Sequence, residues 1–278
     1  MFKFFGILVA VFLSLLPLYY FLYLKPNPIN TSPADTNITT NKPSEIADFQ
    51  KNKQRVVYTS IKKTSSKPKL MIIMDDLATL KEVKKLKNLP IHLVPSIFPK
   101  TKAHPNTPKM AKMFKSIMIH MPMEAVSFGK PSENTLMIKD NYDRLKKKID
   151  NSLKDFSNVR AINNHTGSKF TSTYQPFYNS IKILKNRGIV FIDSKTTTKS
   201  KYIKISKELN QKIFQREIFL DNIPKVSYIK NQLKKAVKIA KAKGFAIAIC
   251  HPKKETFKAL QQSKHILKNI KLVGIDEL

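Results

Sequence analysis

At 278 residues with 42% apolar content, the chain can build one α/β domain of about 200 residues plus appendages. Its formal charge of +32 comes almost wholly from lysine, since only Arg55, Arg144, Arg160, Arg187 and Arg216 among the 51 basic residues are arginine. Such a surface attracts anionic polymers or lipids, but there is no arginine-rich arm, zinc finger or aromatic-basic module, so nucleic acid is not an expected partner, and a single cysteine, Cys250, excludes an intramolecular disulfide.

The first predicted element is a membrane anchor over residues 1–25. Phe4 to Leu24 are uncharged, rich in Phe, Leu, Val and Tyr, and flanked by Lys3 and Lys25; about 20 such residues cross a bilayer as a helix. No small-x-small cleavage site follows, which argues against a removed signal peptide. Lys3 and the amino terminus favour a cytoplasmic start, which puts the rest of a single-pass inner-membrane protein in the periplasm or outside. Residues 26–68 are dominated by Asn, Thr, Ser, Pro and Lys and read as a disordered tether, with at most a short edge strand over Gln54 to Ser60.

From residue 69 to 278, strand-like apolar runs alternate with helical patterns. In chain order the expected elements are strand Leu70 to Met74, helix Thr79 to Lys87, strand Ile91 to Ile97, helix Pro108 to Lys115, strand Ile117 to Met121, helix Tyr142 to Leu153, strand Arg160 to Asn163 and helix Thr173 to Asn186. Strand Ile189 to Ile192, helix Lys199 to Leu209, strand Ile213 to Gln215, helix Val226 to Lys243, strand Ala246 to Ile249, helix Glu255 to Lys268 and strand Lys271 to Val273 complete the series. Helices show apolar spacings of three and four. Seven to eight such alternations imply a parallel sheet, most economically a (β/α)7-8 barrel.

Polar groups gather at the carboxyl ends of these runs, where parallel α/β folds place their chemistry: Asp75 and Asp76, His120, His165, Asp193 and His251. Two adjacent carboxylates repel unless something positive neutralises them; the alternative is a solvated loop with Asp75 capping the following helix, for which Thr79 is at least as good a candidate. Two imidazoles and a carboxylate at one rim would supply the three protein ligands of an open zinc site. Cys250 reads as a small apolar group at a strand end, and His92, His104 and His265 as bystanders.

Six segments in order resemble the divergent polysaccharide deacetylase family: Ile72-Ile-Met-Asp-Asp-Leu77, His120-Met-Pro-Met-Glu124, Asn163-Asn-His-Thr-Gly-Ser168, Phe191-Ile-Asp-Ser-Lys-Thr196, Arg216-Glu-Ile-Phe-Leu-Asp-Asn222 and Ala246-Ile-Ala-Ile-Cys-His-Pro252. The resemblance covers roughly residues 69–278 and implies a distorted barrel of the NodB-like group of carbohydrate esterases. It implies Asp75 as catalytic base, Asp76, His120 and His165 as ligands of a divalent metal ion, zinc being the expected one, and His251 as general acid. Asp193 and Arg216 would orient or tune these groups, and Asn164 or the Gly167 region, with Ser168 nearby, would face the substrate. The His-x-x-x-His motif of the larger group is absent. Ala78, Thr166, Lys195 and Cys250 replace the glycine, methionine, arginine and glycine usual in the family.

The expected activity is removal of acetyl groups from a cell-envelope polysaccharide, peptidoglycan among the candidates. A different class of function, a glycan-binding or scaffold protein that kept the fold without the reaction, is the alternative. Metal binding and acetate release separate the two.

Overall fold

The computed structural model describes residues 67–127 and 129–278. The expected anchor, and the expected tether up to residue 66, lie outside them. Among the described residues no helix is long and apolar enough to cross a membrane.

The elements alternate as the periodicity requires. β1 (Lys69–Leu77), α1 (Leu80–Lys87), β2 (Val94–Ile97), α2 (Thr107–Ala111), β3 (Ile117–Met123), α3 (Tyr142–Leu153), β4 (Val159–Thr166) and α4 (Tyr174–Lys185) form the first half. The second half holds β5 (Val190–Asp193), α5 (Tyr202–Glu208), β6 (Phe214–Gln215), β7 (Ile218–Phe219), α6 (Val226–Lys243), β8 (Phe245–Cys250), α7 (Lys254–Gln261) and β9 (Lys271–Leu272). Thr79 caps α1 as the sequence suggested, in a capping box with Glu82. Gly244, at φ +81°, ends α6 in the left-handed conformation that lets the chain turn directly into β8.

All pairings are parallel, in the order β6-β5-β4-β3-β2-β1-β8-β7, with β9 beside the start of β1. The two ends of that order, β6 and β7, are separated in sequence only by Arg216 and Glu217. Arg216 N donates to Asp193 O of β5, and Glu217 N donates to Ile247 O of β8. A single extended run therefore leaves one edge of the sheet and joins the other, and the sheet curls in a way that fits a distorted (β/α) barrel.

Alternation divides the side chains into two layers. Leu70, Ile72 and Met74 of β1 join a large core with Val83 and Leu86 of α1 and apolar residues of the other helices. Met71 and Ile73 join Val94, Met118, Ala161, Ile192, Ile247 and Ile249 in a second cluster that contains no α-helix residue and so fills the concave side of the sheet. Burial on both faces explains why β1 and β8 read as unbroken apolar runs.

The boundaries differ from the sequence reading for physical reasons. β2 begins at Val94 rather than Ile91 because β9 occupies the lower edge of β1, at Lys69 and Leu70, and β1 pairs with β2 only from Ile73 on. The expected helix from Glu255 to Lys268 breaks after Gln261, and a 3-10 turn over Lys264–Leu267 follows. The expected helices from Pro108 and from Lys199 shorten to α2 and α5. β7 is an additional two-residue strand that periodicity cannot register.

Candidate active site

β1, β3 and β4 run on beyond their apolar stretches, so most of the polar groups belong to the strands themselves. In a regular strand consecutive side chains point to opposite faces, which would separate Asp75 from Asp76. The β1–β2 register slips between Met74 and Leu77, and Asp76 sits at φ +59°, a conformation that aspartate tolerates better than most residues. This bulge brings both carboxylates to the same rim. His120 and His165 follow the inward rows of β3 and β4 and meet diagonally, His120 pairing with Asn163 and His165 with Pro122 one inward step nearer the rim.

Three donor atoms converge. Asp76 Oδ1 lies 3.1 Å from His120 Nε2 and 3.2 Å from His165 Nδ1, and the two nitrogens are 3.1 Å apart. Ligands held at about 2.0–2.1 Å from one ion stand roughly 2.9–3.4 Å from each other, so this triangle has the size of one face of a coordination shell. Asp76 Oδ1 is buried with no hydrogen-bond partner, which is the state of an atom that a cation would complete. One carboxylate and two imidazoles are also a donor set suited to a hydrolytic metal. The residues present fit the group that the sequence implied.

The electrostatics agree with this grouping. Burial raises the Asp76 carboxyl, but the closeness and charge of the His120 and His165 rings outweigh it and hold the group well below the usual carboxylate range. Burial lowers His120, yet the charge of Asp75, followed by the closeness and charge of Asp76, leaves it raised.

His251 stands at the end of β8 at the same rim. Its Nδ1 lies 2.9 Å from Asp221 Oδ1, while Asp221 Oδ2 accepts from His251 N at 2.7 Å and from Thr256 Oγ1 at 2.8 Å. Asp221 is wholly buried. Burial alone would lower His251, but the Asp221 hydrogen bond and charge, with further contributions from Asp76 and Asp75, raise it. Burial raises Asp221 and His251 more than reverses that. Nδ1 is committed to Asp221, so Nε2 is the atom available to a substrate.

Residues 72–278 match the family model for divergent polysaccharide deacetylases. The chain belongs to that family. An uncharacterised protein of Haemophilus influenzae is 30% identical over 225 residues, 80% of each chain. The uncharacterised protein YibQ of Escherichia coli is 30% identical over 146 residues, 52% of this chain and 46% of that protein. The crystal structure of an uncharacterised protein from Agrobacterium tumefaciens C58 superposes with a TM-score of 0.70 at 18% identity, covering 77% of this chain and 90% of that one. At that identity it speaks for the fold alone.

The other candidate residues of this deacetylase-family domain hold the rim in shape. Asn164 Oδ1 accepts from Ser194 N at 2.8 Å, and its Nδ2 donates to Thr166 O at 2.5 Å and Thr196 Oγ1 at 3.3 Å, so its amide ties the ends of β4 and β5 together rather than standing free for a substrate. Ser168 Oγ accepts from Val126 N at 3.0 Å. Asp193 accepts from Lys195 N at 2.8 Å and Ser200 Oγ at 2.6 Å, and burial raises its carboxyl. Arg216 donates to Ser194 O at 2.7 Å and Lys195 O at 2.9 Å and lies 3.7 Å above the Phe219 ring, which stacks on His251.

Beside His165 opens a cavity of about 340 Å³ lined by Phe98, His104, Pro122, Ser132 and Glu133. His104 stacks on Phe98 at 4.9 Å, so it lies closer to the site than its loop position suggested. Larger hollows around Pro90–His92 lie toward the opposite ends of the strands and contain none of the groups above.

Sequence reasoning missed Asp221 and Asn163. Asp221 follows the apolar run Ile218-Phe-Leu220, but three residues fall short of the roughly four or more that mark a strand. Asn163 ends the strand expected from the apolar run, whereas it faces the site from within β4.

Proposed function

We propose that this chain is a zinc-dependent deacetylase acting on acetylated amino sugars of a cell-envelope polysaccharide. The observation that carries the reading is the triangle of Asp76 Oδ1, His120 Nε2 and His165 Nδ1, with Asp75 and the His251–Asp221 pair at the same rim. When bound there, a divalent ion supplies Lewis acidity that acidifies water and polarises a carbonyl.

The chain's own residues supply the rest. Asp75 Oδ1 is engaged by Asn163, which leaves Oδ2 to accept a proton from the attacking water. Protonated His251 delivers a proton from Nε2 to the departing amine nitrogen, so that an amine rather than an amide anion leaves. Asp221 holds the ring and favours the imidazolium that this step uses, as the buried aspartate does in other His-Asp pairs. The cavity beside His165 has room for a sugar unit next to the reacting group.

The family and the site support a hydrolase; the uncharged stretch from Phe4 to Leu24 supports anchorage in the inner membrane, with the domain outside it.

The test is acetate release from N-acetylated glycan together with the metal content of the full-length chain. We expect about one zinc per chain, lost in Asp76→Ala and His165→Ala. Asp75→Asn should retain the metal and lose turnover by at least about 100-fold, the lower end of what a positioned general base contributes. Zinc binding without acetate release from any acetylated glycan would favour the glycan-binding alternative.

A further inference from the structure

We propose that Asn163 is a positioning residue that selects the nitrogen of His120 available to an ion and holds Asp75 against the same point. The inference rests on the hydrolase reading for its purpose, but its hydrogen-bond logic stands without it.

Asn163 is fully buried in β4 and touches four groups. Its Nδ2 donates to Asp75 Oδ1 at 2.7 Å and to Ser194 Oγ at 3.2 Å. Its Oδ1 accepts from Ser96 Oγ at 2.7 Å and lies 3.0 Å from His120 Nδ1. An ionised carboxylate can only accept, so the amide atom facing Asp75 must be the nitrogen. The oxygen then faces Ser96 and His120, and because an amide oxygen also only accepts, His120 Nδ1 must carry the proton. Whenever the ring is neutral, the lone pair is thereby placed on Nε2, the atom 3.1 Å from both Asp76 Oδ1 and His165 Nδ1. Both amide hydrogens and both acceptor positions of Asn163 are used, and a flipped amide would set its oxygen against the Asp75 carboxylate, acceptor against acceptor.

A packing role would not require this. The inward positions below it are apolar, with Met118, Ala161 and Ile192 in one cluster, and an apolar residue of similar size would avoid the cost of burying an amide. The polar layer of Ser96, His120, Asn163 and Ser194 instead lies between that cluster and the rim. Partners of metal-binding histidines that set tautomer and ring orientation typically contribute 10–100-fold in metal affinity.

The experiment uses the full-length chain labelled with 15N at its six histidines, together with zinc titration against a competing chelator. In the metal-free protein, at a pH where the ring is neutral, His120 should show the Nδ1–H tautomer. Asn163→Ala should lose that preference and bind zinc about 10–100-fold more weakly. Asn163→Asp keeps acceptors for His120 and Ser96 but sets a second carboxylate against Asp75, which must repel it or share its proton, so it should keep the tautomer and near-native zinc affinity while turnover falls.

His120 in the Nε2–H form in the unmodified protein overturns the proposal without any variant. So does equal loss of zinc affinity in Asn163→Asp and Asn163→Ala, which would mark a merely structural role. If Asn163→Ala does not fold, the unmodified protein and Asn163→Asp decide the matter. The expected tautomer and zinc pattern without acetate release would leave the positioning role standing and remove the hydrolase reading.

Discussion

At the scale of single residues, the site consists of groups that are individually unfavourable and mutually satisfied. A buried Asp221 would be costly alone, but it accepts from a ring nitrogen, a backbone amide and a hydroxyl, which is the condition under which a buried charge is tolerated. The pair has a pH signature. Because His251 is raised in the folded protein, its stabilising contribution is complete below the unfolded imidazole value of about 6.5 and is lost as pH rises through the higher folded value. Because Asp221 is lowered, its contribution is present above about 3.9 and is lost as pH falls through the lower folded value. Asp221→Asn should therefore destabilise most near pH 5 to 6, by about 1.5–3 kcal/mol as for hydrogen bonds to charged groups, and less at pH 9. Thermal melts of both proteins across that range measure this; a difference that grew with pH would contradict the pairing. In the same variant the alkaline limb of the kcat/KM profile should move to lower pH, because His251 would lose its proton more readily.

At the scale of elements, the rim is shaped by strand ends forced out of regular geometry. Asp76, Thr166 and Lys195 all have positive φ, at +59°, +55° and +52°, and they stand at the ends of β1, β4 and β5. Such conformations cost about 1–3 kcal/mol each and gather at functional sites; for a branched residue such as Thr166 the strain is greatest, and its Oγ1 bond to Met123 O at 2.7 Å holds it in place. Gly167, next in the chain at φ +90°, has no room for a side chain, since a Cβ would meet Met123 Cβ at 2.9 Å. Gly167→Ala should destabilise by about 1–3 kcal/mol, read as a fall in Tm of roughly 2–4 °C per kcal/mol for a domain of this size, with loss of activity in excess of the loss of folded protein. These features also show what the sequence made legible. The β/α alternation, Thr79 as cap, and Asp75, Asp76, His120 and His165 as neighbours could be read from apolar runs and the polar groups beyond them. The actual lengths of β3 and β4 could not, because the inward-facing His120, Asn163 and His165 interrupt the apolar pattern while the backbone ladder continues. The bulge at Asp75–Asp76 and the tying role of Asn164 depend on contacts between distant strands, which periodicity does not encode.

At the scale of the whole molecule, the weak point of the architecture is the seam where β6 gives way to β7. Each of these strands contributes only two residues, and the chain changes neighbours between Arg216 and Glu217, so few ladder bonds close the sheet. Side chains make up the deficit. Glu217 Oε2 accepts from Ile247 N at 2.7 Å, satisfying the amide of β8 where a longer strand would have done so, and Arg216 binds the carbonyls that follow β5. The seam also adjoins the candidate site, because Asp221 lies two residues beyond β7 and Phe219 stacks on His251. Any loosening there should reach His251 before it reaches Asp76, His120 and His165, which sit on β1, β3 and β4 farther along the sheet order. Glu217→Ala leaves the Ile247 amide without its partner, at a cost of about 1–3 kcal/mol. It should speed amide exchange at Ile247 and its neighbours in β7 and β8 while leaving exchange in β3 and β4 unchanged. Zinc affinity should stay near wild type and turnover should fall. Equal acceleration of exchange across all strands would mean that the seam is not a separate unit and that the curled sheet opens only as a whole.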